Sequence, residues 1–81
     1  MWIKSEDGKL FNTDGAHCIE IEDREGGLFV VVLEYSPIDV RSFNLTRRVS
    51  RDEANRVLGE IEEALTRGHK VLNLCPSGDC D

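Results

Sequence analysis

Basic residues are scarce in this chain of 81 residues, where ten Lys and Arg stand against sixteen Asp and Glu for a formal net charge of −6. A surface of that sign repels phosphate backbones and anionic bilayers, so neither general nucleic-acid binding nor membrane attachment is expected. Aromatic residues are few as well, at 6% of the chain, with one Trp and one Tyr. A chain of this length is near the lower limit for a self-sufficient domain. A core of that size yields only about 3–5 kcal/mol, so burial through self-association adds usefully to it. No run approaches the ~18 apolar residues that span a bilayer. The opening residues 1–8, MWIKSEDG, lack the apolar segment of a secretory leader. The expectation is a cytoplasmic protein.

Residues that announce catalysis are also lacking. No His stands beside an orienting carboxylate at a spacing recognisable for nucleophilic chemistry. The turn Glu25-Gly26-Gly27 leads into a strand and not a helix, so it lacks the geometry that cradles a phosphate. Glu20, Glu22, Asp23 and Glu25 cluster in sequence, and Glu20 and Glu22 share a strand face. Without a basic or apolar environment to shift a pKa, they read as an exposed acidic hairpin. No enzyme and no cofactor is expected.

What is present is a helix with legible ends. Ser50 is placed to cap the first turn and Glu53 to complete a capping box. Ala54, Val57, Leu58, Ile61, Ala64 and Leu65 recur at helical spacing, and Gly68 supplies a left-handed terminus. Upstream, turn signals at Asp7-Gly8, Asp14-Gly15, Gly26-Gly27 and Ser36-Pro37 separate short strands. Residues 2–4 and 9–11 predict a small hairpin, and residues 17–23 a half-buried strand with Ile19 and Ile21 on one face. Leu28-Phe29-Val30-Val31-Val32-Leu33 is apolar without interruption, the mark of a strand buried on both faces at the middle of a sheet. Residues 38–45 predict a further strand whose alternation changes phase, which a bulge near Arg41-Ser42 would repair. Residues 70–74 predict a terminal edge strand.

The fold class read from this pattern is α+β: an antiparallel meander of about five strands, open or curled into a partial barrel, with one C-terminal helix on one face. Residues 1–74 form a single domain and residues 75–81 a flexible tail. One helix covers one face of a sheet, so the other apolar set of the central strand, Leu28, Val30 and Val32, needs different cover. Curling of the sheet, the hairpin residues Trp2 and Phe11, or a second molecule would provide it.

Two clusters remain. Cys75 and Cys80 read first as free thiols of the tail, with a disulfide or a metal pair completed by His69 as alternatives. Cys18 reads as a partly buried structural thiol. Arg41, Arg47, Arg48 and Arg51 form a basic island without an acid among residues 41–51. They read as a solvated strand end with partners for the helix acids, and otherwise as an anion contact.

The opening Trp2-Ile3-Lys4…Gly8-Lys9-Leu10-Phe11-Asn12, with Glu53-Ala54…Val57-Leu58…Ile61…Ala64-Leu65…Gly68, resembles a group of small uncharacterised bacterial and phage-associated proteins. They share a hairpin of the I-K-x-x-x-G-x-L-x-N kind and a single C-terminal helix. The resemblance spans roughly half of the chain, excludes the cysteine tail, and implies an antiparallel sheet with a helix but no activity. In outline the arrangement is also similar to pleckstrin-homology-like barrels, of which this chain is a strand or two short.

The function expected from these readings is a non-enzymatic protein-interaction module. It would form a homodimer, or bind an unidentified protein partner, through Trp2, Phe11, Leu28, Val30 and Val32. The alternative is a small metal- or redox-responsive protein using Cys75 and Cys80.

Overall fold

The computed structural model describes residues 1–35 and 41–75. Strands β1 (Trp2–Lys4) and β2 (Leu10–Asn12) form a hairpin where one was predicted, but the second strand lies one residue later than expected, so Trp2 stands opposite Asn12 and Lys4 opposite Leu10. Gly8 closes its turn at φ 88°, a left-handed conformation that glycine adopts without strain. Ser5, fully buried, anchors the turn. Its amide donates to the Lys9 carbonyl at 2.8 Å, and its hydroxyl accepts the Lys9 amide at 3.1 Å.

Strand β3 (Cys18–Arg24) runs through a one-turn 3-10 segment, Glu25–Gly27, into β4 (Leu28–Glu34), and β5 (Ser42–Asn44) pairs on the far side of β4. The uninterrupted apolar run is thus the central strand of its sheet, as its composition predicts. Beyond β5 the chain departs from the expected path. Arg41 and Ser42 stay in register with Tyr35 and Glu34, so no bulge lies there. The register breaks further on, between Asn44 opposite Val32 and Val49 opposite Phe29. Across that break the Thr46 hydroxyl accepts the Val31 amide at 3.2 Å, replacing a missing backbone partner. Ile38 and Val40, which carried part of the predicted phase change, lie outside the described residues.

Helix α1 (Arg51–Thr66) follows its predicted limits. The Ser50 hydroxyl accepts the Glu53 amide at 3.2 Å, and Gly68 at φ 70° lets the His69 amide return to the Ala64 carbonyl at 3.0 Å. The Glu53 carboxylate holds Arg56, which also reaches Glu60, and Arg67 pairs with Glu63 at 2.9 Å. The buried stripe is Ala54, Val57, Ile61 and Ala64, narrower than expected, because Leu58 and Leu65 lie on its flank, the first half-buried and the second 49% exposed.

Strand β6 (Val71–Asn73) corrects the meander. It is an edge strand, but it pairs parallel with β1, setting Trp2 opposite Val71 and Lys4 opposite Asn73. The described residues therefore form two three-stranded sheets, β2-β1-β6 and β3-β4-β5, and not five strands in one sheet or a partial barrel. The helix returns the chain to the N-terminal hairpin, whose inner residues Ile3 and Phe11 need cover, and Leu72 and Leu74 supply it. The core joins Ile3 from one sheet, Val31 and Leu33 from the other, Leu45 from the connecting loop, and Ala54, Val57 and Ile61 from the helix. The Phe11 and Phe43 rings meet at 5.1 Å, and the Tyr35 hydroxyl donates to the Asn12 carbonyl at 2.7 Å, tying the two sheets together.

Candidate functional site

Two sheet faces point away from this core. The first is the outer face of β3-β4-β5. Pairing around the Gly26-Gly27 turn sets Cys18 opposite Glu34, Glu20 opposite Val32 and Glu22 opposite Val30. The Cys18 thiol donates to Glu34 Oε2 at 3.3 Å, and the donor atoms of Cys18, Glu20 and Glu34 all lie within 4.8 Å of one another.

The hydrogen bond to Glu34 raises the pKa of the Cys18 thiol, with burial and the neighbouring carboxylates adding to the effect. Glu20 is also raised, first by its hydrogen bond to Glu34 and then by the charge of that group, while Glu34 is lowered by the hydrogen bonds it receives from Cys18 and Glu20. Glu34 is therefore held toward its charged form, and Cys18 and Glu20 toward their neutral forms. A thiol held protonated is a poor nucleophile and a poor metal ligand, since both roles need the thiolate. Three donors also fall one short of a closed structural zinc set. The cluster is a hydrogen-bonded network, and Cys18 within it is partly buried.

This network has a measurable pH signature. A carboxyl with a higher pKa in the folded state favours folding at acid pH and loses that contribution as the pH rises through its folded value. Glu20→Gln removes the loss, so the melting temperature is expected to rise relative to the parent at about pH 7 and to match it at about pH 3. A difference that stays constant with pH would show that no proton links Glu20 and Glu34.

The second face is the outer side of β2-β1-β6. Ile3, Phe11 and Leu72 point into the core, so alternation turns Trp2, Lys4, Leu10, Asn12, Val71 and Asn73 outward. Trp2 is 46% exposed, Leu10 58% and Val71 56%, three of the six large hydrophobic residues exposed on the described surface. Val71 lies directly across from Trp2, and Leu10 lies diagonally across, so the three are neighbours. Among the described residues no carboxylate shares this face, in a chain that carries sixteen acids.

The five residues predicted as an interaction surface are split by the fold. Trp2 lies on the outer face just described, and Phe11 packs inward against the core. Neither covers the far side of β4. Leu28 is 36% exposed at the end of that strand, while Val30 and Val32 are 2% and 0% exposed and offer no apolar surface of their own. Leu10 and Val71 are the members that sequence reading missed. Leu10 turns outward because β2 is shifted one residue from the expected register, which sets it opposite Lys4, and Val71 because of the parallel pairing of β6.

The arginines do not converge. The Arg51 guanidinium covers the Phe29 ring at 5.3 Å, and the Arg47 amide donates to Glu6 Oε1 at 2.8 Å. Arg47 and Arg48 open onto separate clefts, the first shared with Glu6 and Asp7 and the second with Asp23 and Glu25. Arg41 is exposed, and its carbonyl accepts the Tyr35 amide at 3.0 Å. His69 precedes β6 and Cys75 follows it, so the strand separates them. Cys75 is 7% exposed and disulfide-bonded, which corrects its reading as a free thiol. Cys80 lies outside the described residues.

The fold is that of a small α+β protein, and no described helix is long and apolar enough to cross a membrane. Comparison with family models, with curated proteins and with solved structures finds no match to this chain.

Proposed function

We propose that this chain is a non-enzymatic protein-interaction module that self-associates through the outer face of β2-β1-β6. The observation that carries the reading is the contiguous Trp2, Leu10 and Val71 surface, left open to water on an acidic molecule. Adjacent exposed apolar side chains of this size mark association sites on small soluble domains. The occupant is a second copy, which meets the least electrostatic opposition on this face. Two molecules of net charge −6 repel each other, and a face without carboxylates lets them approach with the least repulsion.

Trp2 is the only tryptophan, so its emission reports on this face alone. Light scattering is expected to show a concentration-dependent dimer in the micromolar range, and the emission maximum should move to shorter wavelength as the dimer forms. A monomer at every concentration, with unshifted emission, would refute self-association.

A further inference from the structure

Strand β3 has a neighbour on one side only among the described residues, and its other edge is open. The Tyr35 amide donates to the Arg41 carbonyl and the Leu45 amide to the Val31 carbonyl. Odd-numbered residues of the central strand therefore turn their backbone groups to β5 and even-numbered ones to β3. On β3 this aims the backbone groups of Glu20 and Glu22 at Val32 and Val30, and those of Ile19 and Ile21 at the open edge. No described residue bonds to the Ile19 or Ile21 amide. Neither proline nor a bulge interrupts the seven residues of β3, so this edge is a template for one more strand. Beside it lies an apolar cleft of about 340 Å³ between β3 and helix α1, walled by Ala16, Ile19, Leu58, Ile61, Leu65 and Glu62. A residue directly opposite Ile19 on an added strand shares its face, so its side chain enters this cleft.

Charge selects the occupant. Glu20, Glu22 and Asp23 lie on β3, and its one base, Arg24, already pairs with Glu22 at 3.0 Å. The hydrogen bond to Glu34 and the charge of that group push the Glu20 carboxyl up, the response of an acid crowded by acids and short of cations. A second copy is a poor occupant, because β3 paired with itself about Ile21 or Glu20 sets Glu20 opposite Glu22 or Glu20. We infer that the β3 edge receives an extended segment of a partner protein in which apolar and basic residues alternate. Its backbone bonds to Ile19 and Ile21, one apolar side chain fills the cleft beside Leu58 and Leu65, and its Lys or Arg residues face Glu20 and Glu22. This edge is separate from the outer face of β2-β1-β6, so the inference stands or falls apart from self-association there.

Fluorescence anisotropy tests it with a dye-labelled peptide amide, Lys-Leu-Lys-Leu-Lys, which sets leucines opposite Ile19 and Ile21 and lysines opposite Glu20 and Glu22. Binding is expected at low salt and should weaken as salt is raised. The rearranged peptide Lys-Lys-Leu-Leu-Lys keeps the charge but turns one leucine away from the cleft, and should bind at least about tenfold more weakly. Leu65→Lys replaces an exposed wall of the cleft and should cost at least about tenfold as well, with circular dichroism checking that the fold is intact. Methylating the two leucine amides, or instead the second and third lysine amides, blocks one edge of the peptide at a time. Only the set that turns to β3 should abolish binding, and which set it is reads the strand direction. No binding, equal binding of the two sequences, equal effects of the two methylations or an unchanged Leu65→Lys affinity would each overturn strand addition. A dimer that Leu65→Lys dissolves would replace the basic segment with a second copy.

Discussion

Leu33→Ala is expected to destabilise the chain by about 2–5 kcal/mol, the range for truncating a fully buried leucine. Leu33 is 0% exposed and stands on the central strand opposite Ile19 on one side and Phe43 on the other. It faces the cluster formed by Ile3, Leu45, Val57 and Ile61, so its loss opens a cavity where both sheets and the helix meet. At roughly 0.05–0.15 kcal/mol per residue, a domain of this length holds about 4–12 kcal/mol in total. The substitution therefore removes a large share of the stability and leaves a visible unfolded population. Urea denaturation followed by circular dichroism measures the loss. Leu65→Ala serves as the control, because Leu65 is 49% exposed and its truncation leaves no comparable void. A loss under about 1 kcal/mol at Leu33 would mean that this side of β4 is not the one the helix covers.

Val71→Lys is expected to weaken self-association at least about thirtyfold while changing the stability of the monomer by less than about 0.5 kcal/mol. Val71 is 56% exposed on an edge strand, a position where lysine is well tolerated by a folded monomer. In a dimer the twofold brings one new ammonium from each copy into an apolar contact without a carboxylate to receive it. The two readouts separate the surface role from the structural one. Sedimentation and Trp2 emission should report a monomer, and the denaturation midpoint should barely move. An unchanged dimer would exclude this face as its interface.

Much of the local structure was legible. Asp7-Gly8 between two short apolar-polar runs specified the first hairpin, because a turn that needs a positive φ names its own residues. Ser50 and Gly68 marked the helix ends for the same kind of reason, since the free amides and carbonyls at helix termini accept only a few side-chain types, while the Glu53 carboxylate expected to complete the cap holds Arg56 instead. Glu34 was within reach as well. Pairing outward from Gly26-Gly27 brings Cys18 opposite Glu34, yet attention to the acids of β3 alone left it out.

The partition into two sheets was not legible, and neither was the apolar face that follows from it. Turn residues specify which strands are consecutive, and consecutive strands with short turns suggest a single meander. Backbone hydrogen bonding is the same for any pair of strands, so no residue in Val71–Asn73 names β1 as its partner. The choice follows from burial: Ile3 and Phe11 need cover on their inner side, and the returning chain after Gly68 brings Leu72 and Leu74 to it. By itself the sequence determined the helix and its caps, the first hairpin and the central place of Leu28–Glu34, because each depends on neighbours a few residues away. The tertiary structure alone decided that Trp2, Leu10 and Val71 would share a surface, because that required the two ends of the chain to pair.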